Sequence, residues 1–311
     1  MPSNVVWLFP GQGSQHVGMG KALAERYASA ARAFSTAGEA LTLDLRALCW
    51  DGPQEELDRT ANAQPAILTM SIAALRAAGE ALGHDLPDPL AVAGHSLGEY
   101  SAIVAAGALS LPDAVRIVRR RGELMQAAAP DGGGMAAVVG VDAATVERTL
   151  AGSGVVIAND NAPGQVVISG PLVKLPETID VLKGTGAKRV IPLRVSAAFH
   201  SPAMRAVAPD LGAALASARW GSLRCRLIAN VDADVHGRAS ELAVLLERQV
   251  WSPVRWVETM RRAAELGATT FVEFGPGTVL TGLVTRILPE ARTANVNDPA
   301  TLEAALPLLG A

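Results

Sequence analysis

Five residues, Gly94-His95-Ser96-Leu97-Gly98, constrain the fold of this chain more than any others. They follow the apolar run Leu90-Ala91-Val92-Ala93 and precede Glu99-Tyr100-Ser101-Ala102-Ile103-Val104-Ala105-Ala106, so the stretch reads as strand, tight turn, helix. A Gly-x-Ser-x-Gly turn holds its serine in strained backbone, and the flanking glycines let strand and helix approach closely enough to project the hydroxyl. Ser96 is therefore the candidate nucleophile. The same geometry sets the Leu97 N–H and the start of the helix beside that hydroxyl, where negative charge develops in acyl transfer. A glycine-rich turn that merely joins strand to helix is the plain alternative, and the pattern alone does not separate the two.

A chain of 311 residues, 50% apolar and poor in aromatics, suffices for one aliphatic α/β core and a smaller appended unit. The net charge of -3 and the lack of a basic tail argue against nucleic acid as a partner. Cys49 and Cys225 have neither metal-ligand nor redox spacing, so free thiols and no metal are expected. The N-terminus carries no charged-then-apolar signal pattern, and the Ala-rich runs are broken by Arg, Glu and Asp. A soluble, cytoplasmic enzyme without a membrane partner is the expectation.

Val5 to Phe9 reads as a buried strand that breaks at Pro10-Gly11-Gln12-Gly13-Ser14-Gln15. Neither nucleotide fingerprint fits, because His16 stands three after Gly13 and no lysine follows. The loop is then a plain turn or the source of a second oxyanion N–H near Gln12. Lys21 to Leu82 is helical in pattern, with breaks at Asp51-Gly52-Pro53 and around Asn62, and its last helix is expected over Ile67 to Leu82. Gln64 then lies at a helix N-terminus, capping it or facing a ligand. In the helix opened by Ser110, the residues three and four from Arg121 are Ile117, Val118, Leu124 and Met125, all apolar. Arg121 thus points inward and has to meet an anion, either a structural carboxylate or that of a substrate.

Residues 132 to 196 read as an inserted βαββαβ unit of the ferredoxin-like kind, with Gly132-Gly133-Gly134 as hinge and residues 1–131 and 197–311 forming the large α/β subdomain with a parallel sheet. Strands are expected at Met135 to Val141, Val155 to Ala158, Gln165 to Ser169 and Arg189 to Val195. Asn159 and Asn161 fall in its central turn, where turn formation competes with a site role. Beyond the unit comes Phe199-His200-Ser201-Pro202. His16 and His84 lie in loops, His95 is expected to point away from its neighbour Ser96, and His236 sits in a turn, which leaves His200 as the base. Its orienting partner need not be an acid, since a backbone carbonyl holds the tautomer equally well. The remaining chain alternates strand and helix, ending with a helix from Val279.

Gly11-Gln12-Gly13-Ser14-Gln15, Gly94 to Glu99, Arg121-Gly122, Asn161 through Gly170, Phe199-His200-Ser201 and Gln249 before Ser252-Pro253-Val254 together resemble the malonyl-CoA:acyl carrier protein transacylase family. Arg121 to Met125, Gly133 to Val138 and Arg194 to His200 are most similar to the discrete acyltransferases that serve polyketide synthases in trans. The resemblance implies that Ser96 takes the acyl group, His200 acts as base and then acid, and the Gln12 and Leu97 amides hold the oxyanion. It further implies that Arg121 binds the malonyl carboxylate, that Gln249 orients His200 through its main-chain carbonyl, and that Gln64 and Asn161 line the site. Phe199 resembles the bulky residue of malonyl-selective members, although Ala197 departs from the histidine typical of integrated domains. No bound cofactor is implied: malonyl-CoA is the donor, and the phosphopantetheine of an acyl carrier protein is the acceptor. Basic residues among Arg116, Arg119, Arg120, Lys188 and Arg189 are candidates for the carrier's landing surface. Rival readings are a housekeeping fatty-acid transacylase, an acyl hydrolase that edits carrier proteins, an α/β-hydrolase esterase, which expects a later histidine than this chain has, and a carrier-docking module without catalysis.

Overall fold

The computed structural model describes residues 4–128, 132–193, 195 and 197–310. Its strands are β1 (Val5–Phe9), β2 (Ala91–Gly94), β3 (Gly133–Val139), β4 (Val156–Ala162), β5 (Gln165–Pro171), β6 (Arg189–Pro192), β7 (Arg226–Ile228), β8 (Val235–His236), β9 (Thr270–Phe274) and β10 (Arg292–Val296). The larger sheet runs β10-β9-β1-β2-β7-β8 and is parallel except where β8 folds back on β7. The two middle strands, β1 and β2, are apolar throughout because both faces are covered. Val6 and Leu8 point into a core made with the helices Trp256–Glu265 and Val279–Ile287, whereas Trp7 and Phe9 point into the main core with the helix Thr60–Leu82.

The helix Thr60–Leu82 packs against Ala28–Leu41 and Leu111–Ala127. It starts earlier than the sequence suggests, because Pro65 is accommodated inside it. Proline has no N–H to give to the carbonyl four residues back. That carbonyl, on Ala61, accepts instead from Arg119 Nη1 at 3.2 Å. Among the described residues this is the one helix long and apolar enough to cross a bilayer, contrary to expectation; most of it is buried inside the protein. Arg121 emerges from Leu111–Ala127 where Gly122 lets the two helices touch: a Cβ there would lie 2.7 Å from the Ala61 Cα.

The second sheet, β4-β5-β3-β6, is antiparallel throughout and carries the helices Ala143–Leu150 and Leu175–Gly184 in the expected βαββαβ order. Two details differ from the sequence reading. Asn159 and Asn161 lie within β4, not in a turn, since β4 continues to Ala162 and the reversal falls at Pro163-Gly164. The chain also does not end with the helix Val279–Ile287, because β10 and the helix Pro299–Leu309 follow. β10 is a half-exposed edge strand with no apolar run to announce it. The expected subdomain boundaries fall beside residues 129–131, 194 and 196, which lie outside the described residues, as does the Arg194 and Ser196 part of the motif before His200.

At the end of β2 the turn has the form its glycines require. A Cβ on Gly94 would lie 1.9 Å from the Gly98 carbonyl carbon, and one on Gly98 would lie 1.9 Å from the Phe9 oxygen. Both obstacles are backbone, so neither can swing aside. Gly98→Ala is expected to cost more than about 3 kcal/mol through overpacking, read as a lowered urea midpoint at unchanged slope.

Candidate active site

Ser96 occupies the left-handed region at φ 51, the strained serine that the glycine turn predicts. What holds it there is Asn230, just beyond β7. Its Oδ1 accepts from the Ser96 N–H at 2.7 Å, and its Nδ2 donates to the Gly94 carbonyl at 2.7 Å, so one amide bridges both sides of the turn. Removing that clamp in Asn230→Ala is expected to lower the acylation rate about 10- to 100-fold, checked by single-turnover labelling of Ser96.

His200 faces the serine, with Nε2 2.7 Å from Ser96 Oγ. The other ring nitrogen, Nδ1, points at two backbone carbonyls, Gln249 O and Ser252 O, each at 3.0 Å. Carbonyls only accept, so Nδ1 carries the hydrogen and Nε2 presents its lone pair to the hydroxyl. Burial pushes the His200 pKa down to about 3, with the Arg121 charge adding to the effect. The imidazole is therefore neutral across the physiological range.

Arg121 is 1% exposed, as its periodicity predicts. Among the described residues no carboxylate pairs with it. Nη1 donates to Gln64 Oε1 at 2.8 Å, while Nη2 donates to Gln249 Oε1 at 3.0 Å and to Ser96 Oγ at 3.2 Å. Its Nε is buried without a partner. Gln64 is thus a guanidinium acceptor and not a helix cap. Gln249 contributes at both ends: its backbone carbonyl meets His200, and its side-chain Nε2 donates to Ser96 O at 2.9 Å and to Glu99 Oε2 at 3.0 Å.

These groups open into one cavity of about 610 Å³ between the two sheets, lined by Gln12, Ser96, Leu97, Arg121, Asn161, Phe199 and His200. The Gln12 and Leu97 N–H groups have no partner among the described residues, whereas the Gln12 side chain donates to Thr60 Oγ1 at 3.2 Å. Asn161 Oδ1 meets His95 Nε2 at 2.8 Å. His95 does not point away from the site as expected; its ring lies against Trp256 and lines the same cavity, and burial there holds its pKa below the ordinary range. A larger recess of about 830 Å³ is lined by Arg32, Arg76 and Arg224 and does not include Ser96 or His200. Of the five basic landing candidates none lines the site cavity, and Arg116, Arg119 and Arg120 are ion-paired with Asp113, Glu123 and Asp210 of this chain. Cys49 and Cys225 are free thiols.

Sequence reasoning missed Asn230, Ser252 and Glu99. Glu99 and Ser252 stood inside the motifs of the resemblance with no role attached, and Glu99 carried a further signal as the one charge in the helix directly after the turn; Asn230 carried none, since it acts from 134 residues away.

A serine bonded to a neutral imidazole, two open amides and a buried guanidinium facing one cavity define an enzyme built to move acyl groups that carry a negative charge. The chain belongs to the acyl transferase domain family, whose model matches residues 6–303. Within it, the chain falls among the malonyl CoA-acyl carrier protein transacylases: it is 45% identical to that of Bacillus subtilis, with 99% of this chain and 98% of the relative covered. The crystal structure of acyl-carrier-protein-S-malonyltransferase from Bartonella henselae superimposes with a TM-score of 0.95 at 40% identity, covering 100% of both chains. The malonyl-transacylase PlMCAT, solved with the type II polyketide synthase acyl-carrier protein AntF, gives a TM-score of 0.93 at 40% identity over 98% of this chain and 99% of that one. The polyketide biosynthesis protein ThaF of Burkholderia thailandensis is 44% identical over 93% of this chain, which spans 24% of ThaF.

Proposed function

We propose that the protein moves malonyl from malonyl-CoA to the phosphopantetheine thiol of an acyl carrier protein through an ester on Ser96. The observation that carries the mechanism is the position of Ser96 Oγ, 2.7 Å from His200 Nε2 and 3.2 Å from Arg121 Nη2. His200 Nε2 takes the hydroxyl proton as Oγ attacks the thioester carbon, and the Gln12 and Leu97 N–H groups receive the oxyanion. Collapse breaks the C–S bond, and the His200 imidazolium returns its proton to the departing coenzyme A sulfur. The carrier thiol then repeats the sequence in reverse, giving its proton to His200 and leaving Ser96 as the free hydroxyl. Gln249 and Ser252 hold the imidazolium through their carbonyls. Arg121 receives the malonyl carboxylate, using the buried Nε–H and the donors now spent on neutral partners.

The ferredoxin-like unit, residues 132–196, serves as the second wall of the cleft, with Asn161 and His95 joined across it. Phe199 narrows the space beside the reacting carbon. One methyl group in such a pocket is worth about 1–3 kcal/mol, so methylmalonyl-CoA is expected to acylate Ser96 about 10- to 200-fold less efficiently than malonyl-CoA, a ratio measured by competition. The protein acts in the cytoplasm, in trans for a polyketide synthase. The likeness to ThaF and to the AntF-bound enzyme supports that role, while the full-length match to the Bacillus subtilis enzyme supports a housekeeping role in fatty-acid synthesis.

Intact-protein mass spectrometry with malonyl-, methylmalonyl- and acetyl-CoA, followed by addition of holo-carrier proteins from both kinds of pathway, tests the reading. A malonyl adduct that requires Ser96 and passes to a carrier is expected. An adduct that decays to free malonate with the carrier untouched replaces transfer by hydrolysis.

A further inference from the structure

Arg121 presents a problem that the proposed reaction does not solve. A guanidinium buried to 1% exposure needs a counter-charge, yet a direct carboxylate partner would have to be displaced by every substrate. Glu99, in the first turn of the helix Gly98–Ala105, is fully buried, and it reaches Arg121 only through an intermediary. Its Oε2 accepts from Gln249 Nε2 at 3.0 Å and from the Asn230 N–H at 3.0 Å, while Oε1 has no partner. The far end of the same Gln249 amide, Oε1, accepts from Arg121 Nη2 at 3.0 Å. The amide has one workable orientation there: a carboxylate only accepts and a guanidinium only donates, so its NH₂ faces Glu99 and its oxygen faces Arg121.

We infer that Glu99 is a positioning residue and the remote counter-charge of Arg121, spaced by the Gln249 amide so that the guanidinium stays charged without an ion pair that competes with the substrate carboxylate. The inference rests on Arg121 being the malonyl site. Its consequence is that Glu99 and malonyl act on one cation from opposite sides, so the Glu99 charge weakens malonyl binding and leaves an uncharged acyl group untouched. The charged and titratable groups around Glu99 are Arg121 and Asp232, with Tyr100, His200 and His95 around the guanidinium and the serine. His95 and His200 are held below the ordinary histidine range and Tyr100 is raised by burial, whereas burial pushes Glu99 up to about 7. Glu99 therefore loses its charge as the pH falls through that value, and malonyl binding should tighten as it does.

The test is single-turnover acylation of Ser96, read by quenched mass spectrometry, with malonyl-CoA and acetyl-CoA as probes between pH 5.5 and 8.5. Glu99→Gln keeps an oxygen for both donors and removes the charge. At pH 8 it should lower the half-saturating malonyl-CoA concentration about three- to tenfold, leave that of acetyl-CoA unchanged, and lose this effect in an Arg121→Ala background. In the wild type the ratio of malonyl to acetyl half-saturation should fall toward low pH; the coenzyme A phosphates, common to both donors, cancel. That wild-type ratio decides the matter even if the variant fails to fold. A pH-independent ratio, or equal changes for both donors in Glu99→Gln, overturns the inference while leaving the transacylase standing. A wild type that forms no malonyl ester on Ser96 overturns the transacylase reading and the inference together.

Discussion

Replacing His200 with alanine should lower the rate of Ser96 acylation by malonyl-CoA about 10⁴-fold, and Ser96→Ala should leave no acyl adduct at all. The two effects differ because the residues fail differently. Without the imidazole the hydroxyl keeps its proton, but the open amides of Gln12 and Leu97 and the buried guanidinium still bind and polarise the donor, so slow ester formation persists. Without Oγ there is nothing to esterify. The same geometry fixes the sign of the pH dependence. Because burial and Arg121 push the His200 pKa down to about 3, the base form dominates above that value, and the free enzyme should show no loss of acylation on passing down through pH 6.5, where an ordinary imidazole would titrate. Stopped-flow release of coenzyme A over pH 5.5–8 checks this; a fall in acylation centred near 6.5 contradicts the neutral-base arrangement.

How much of this was legible in the sequence follows from the range over which each signal acts. The elbow was legible because two glycines and a serine within five residues specify the tight turn locally, and the backbone at φ 51 bears it out; the Asn230 clamp that holds it, from 134 residues away, was not. The inward face of Arg121 was legible from helix periodicity. The identity of its partners was not: a structural carboxylate was an open alternative, and the structure supplies instead two glutamine amides from separate elements, Gln64 and Gln249. The βαββαβ order could be read because each of its elements has its own apolar pattern, whereas β10, an edge strand with one buried residue of five, could not. The expectation that His95 points away from Ser96 holds only for neighbours that alternate along a strand. At a left-handed serine the chain turns, and both His95 and Ser96 reach the same cavity.

Proline tells the same story from the opposite side. Pro65 argued locally for a helix start, yet the helix runs through it, because Arg119 from a neighbouring helix takes the carbonyl that proline leaves unpaired. Gln64 was consequently displaced in the sequence reading from the interior of a helix to its cap. A side chain at the cap would face the chain's own N–H groups; inside the helix it faces Leu111–Ala127 and meets Arg121. The position of one helical start therefore separates the two roles open to Gln64, capping its helix or facing into the site.

Arg121→Ala should abolish the preference for malonyl over acetyl, lowering acylation by malonyl-CoA about 10²- to 10³-fold while leaving acetyl-CoA within a few-fold of its wild-type rate. A charge-assisted bond to a buried guanidinium contributes about 1.5–3 kcal/mol, and a bidentate fork makes use of more than one such bond. Wild-type discrimination has a second source: an acetyl group leaves the buried cation without its anion, a desolvation penalty the malonyl carboxylate removes. The alanine variant loses both at once, since there is neither a cation to satisfy nor a donor to use. It also leaves Gln64 Oε1 and Gln249 Oε1 without their donor, so some loss of stability is expected, and Arg121→Lys separates the two effects by restoring a charge without the fork. The lysine variant should recover part of the malonyl preference but not its full extent. Competition between labelled malonyl- and acetyl-CoA for Ser96, on protein whose melting profile shows it folded, measures all three. If malonyl keeps its advantage in the alanine variant, the carboxylate is recognised elsewhere in the cavity, and the buried guanidinium serves only to steady Gln64, Gln249 and the serine.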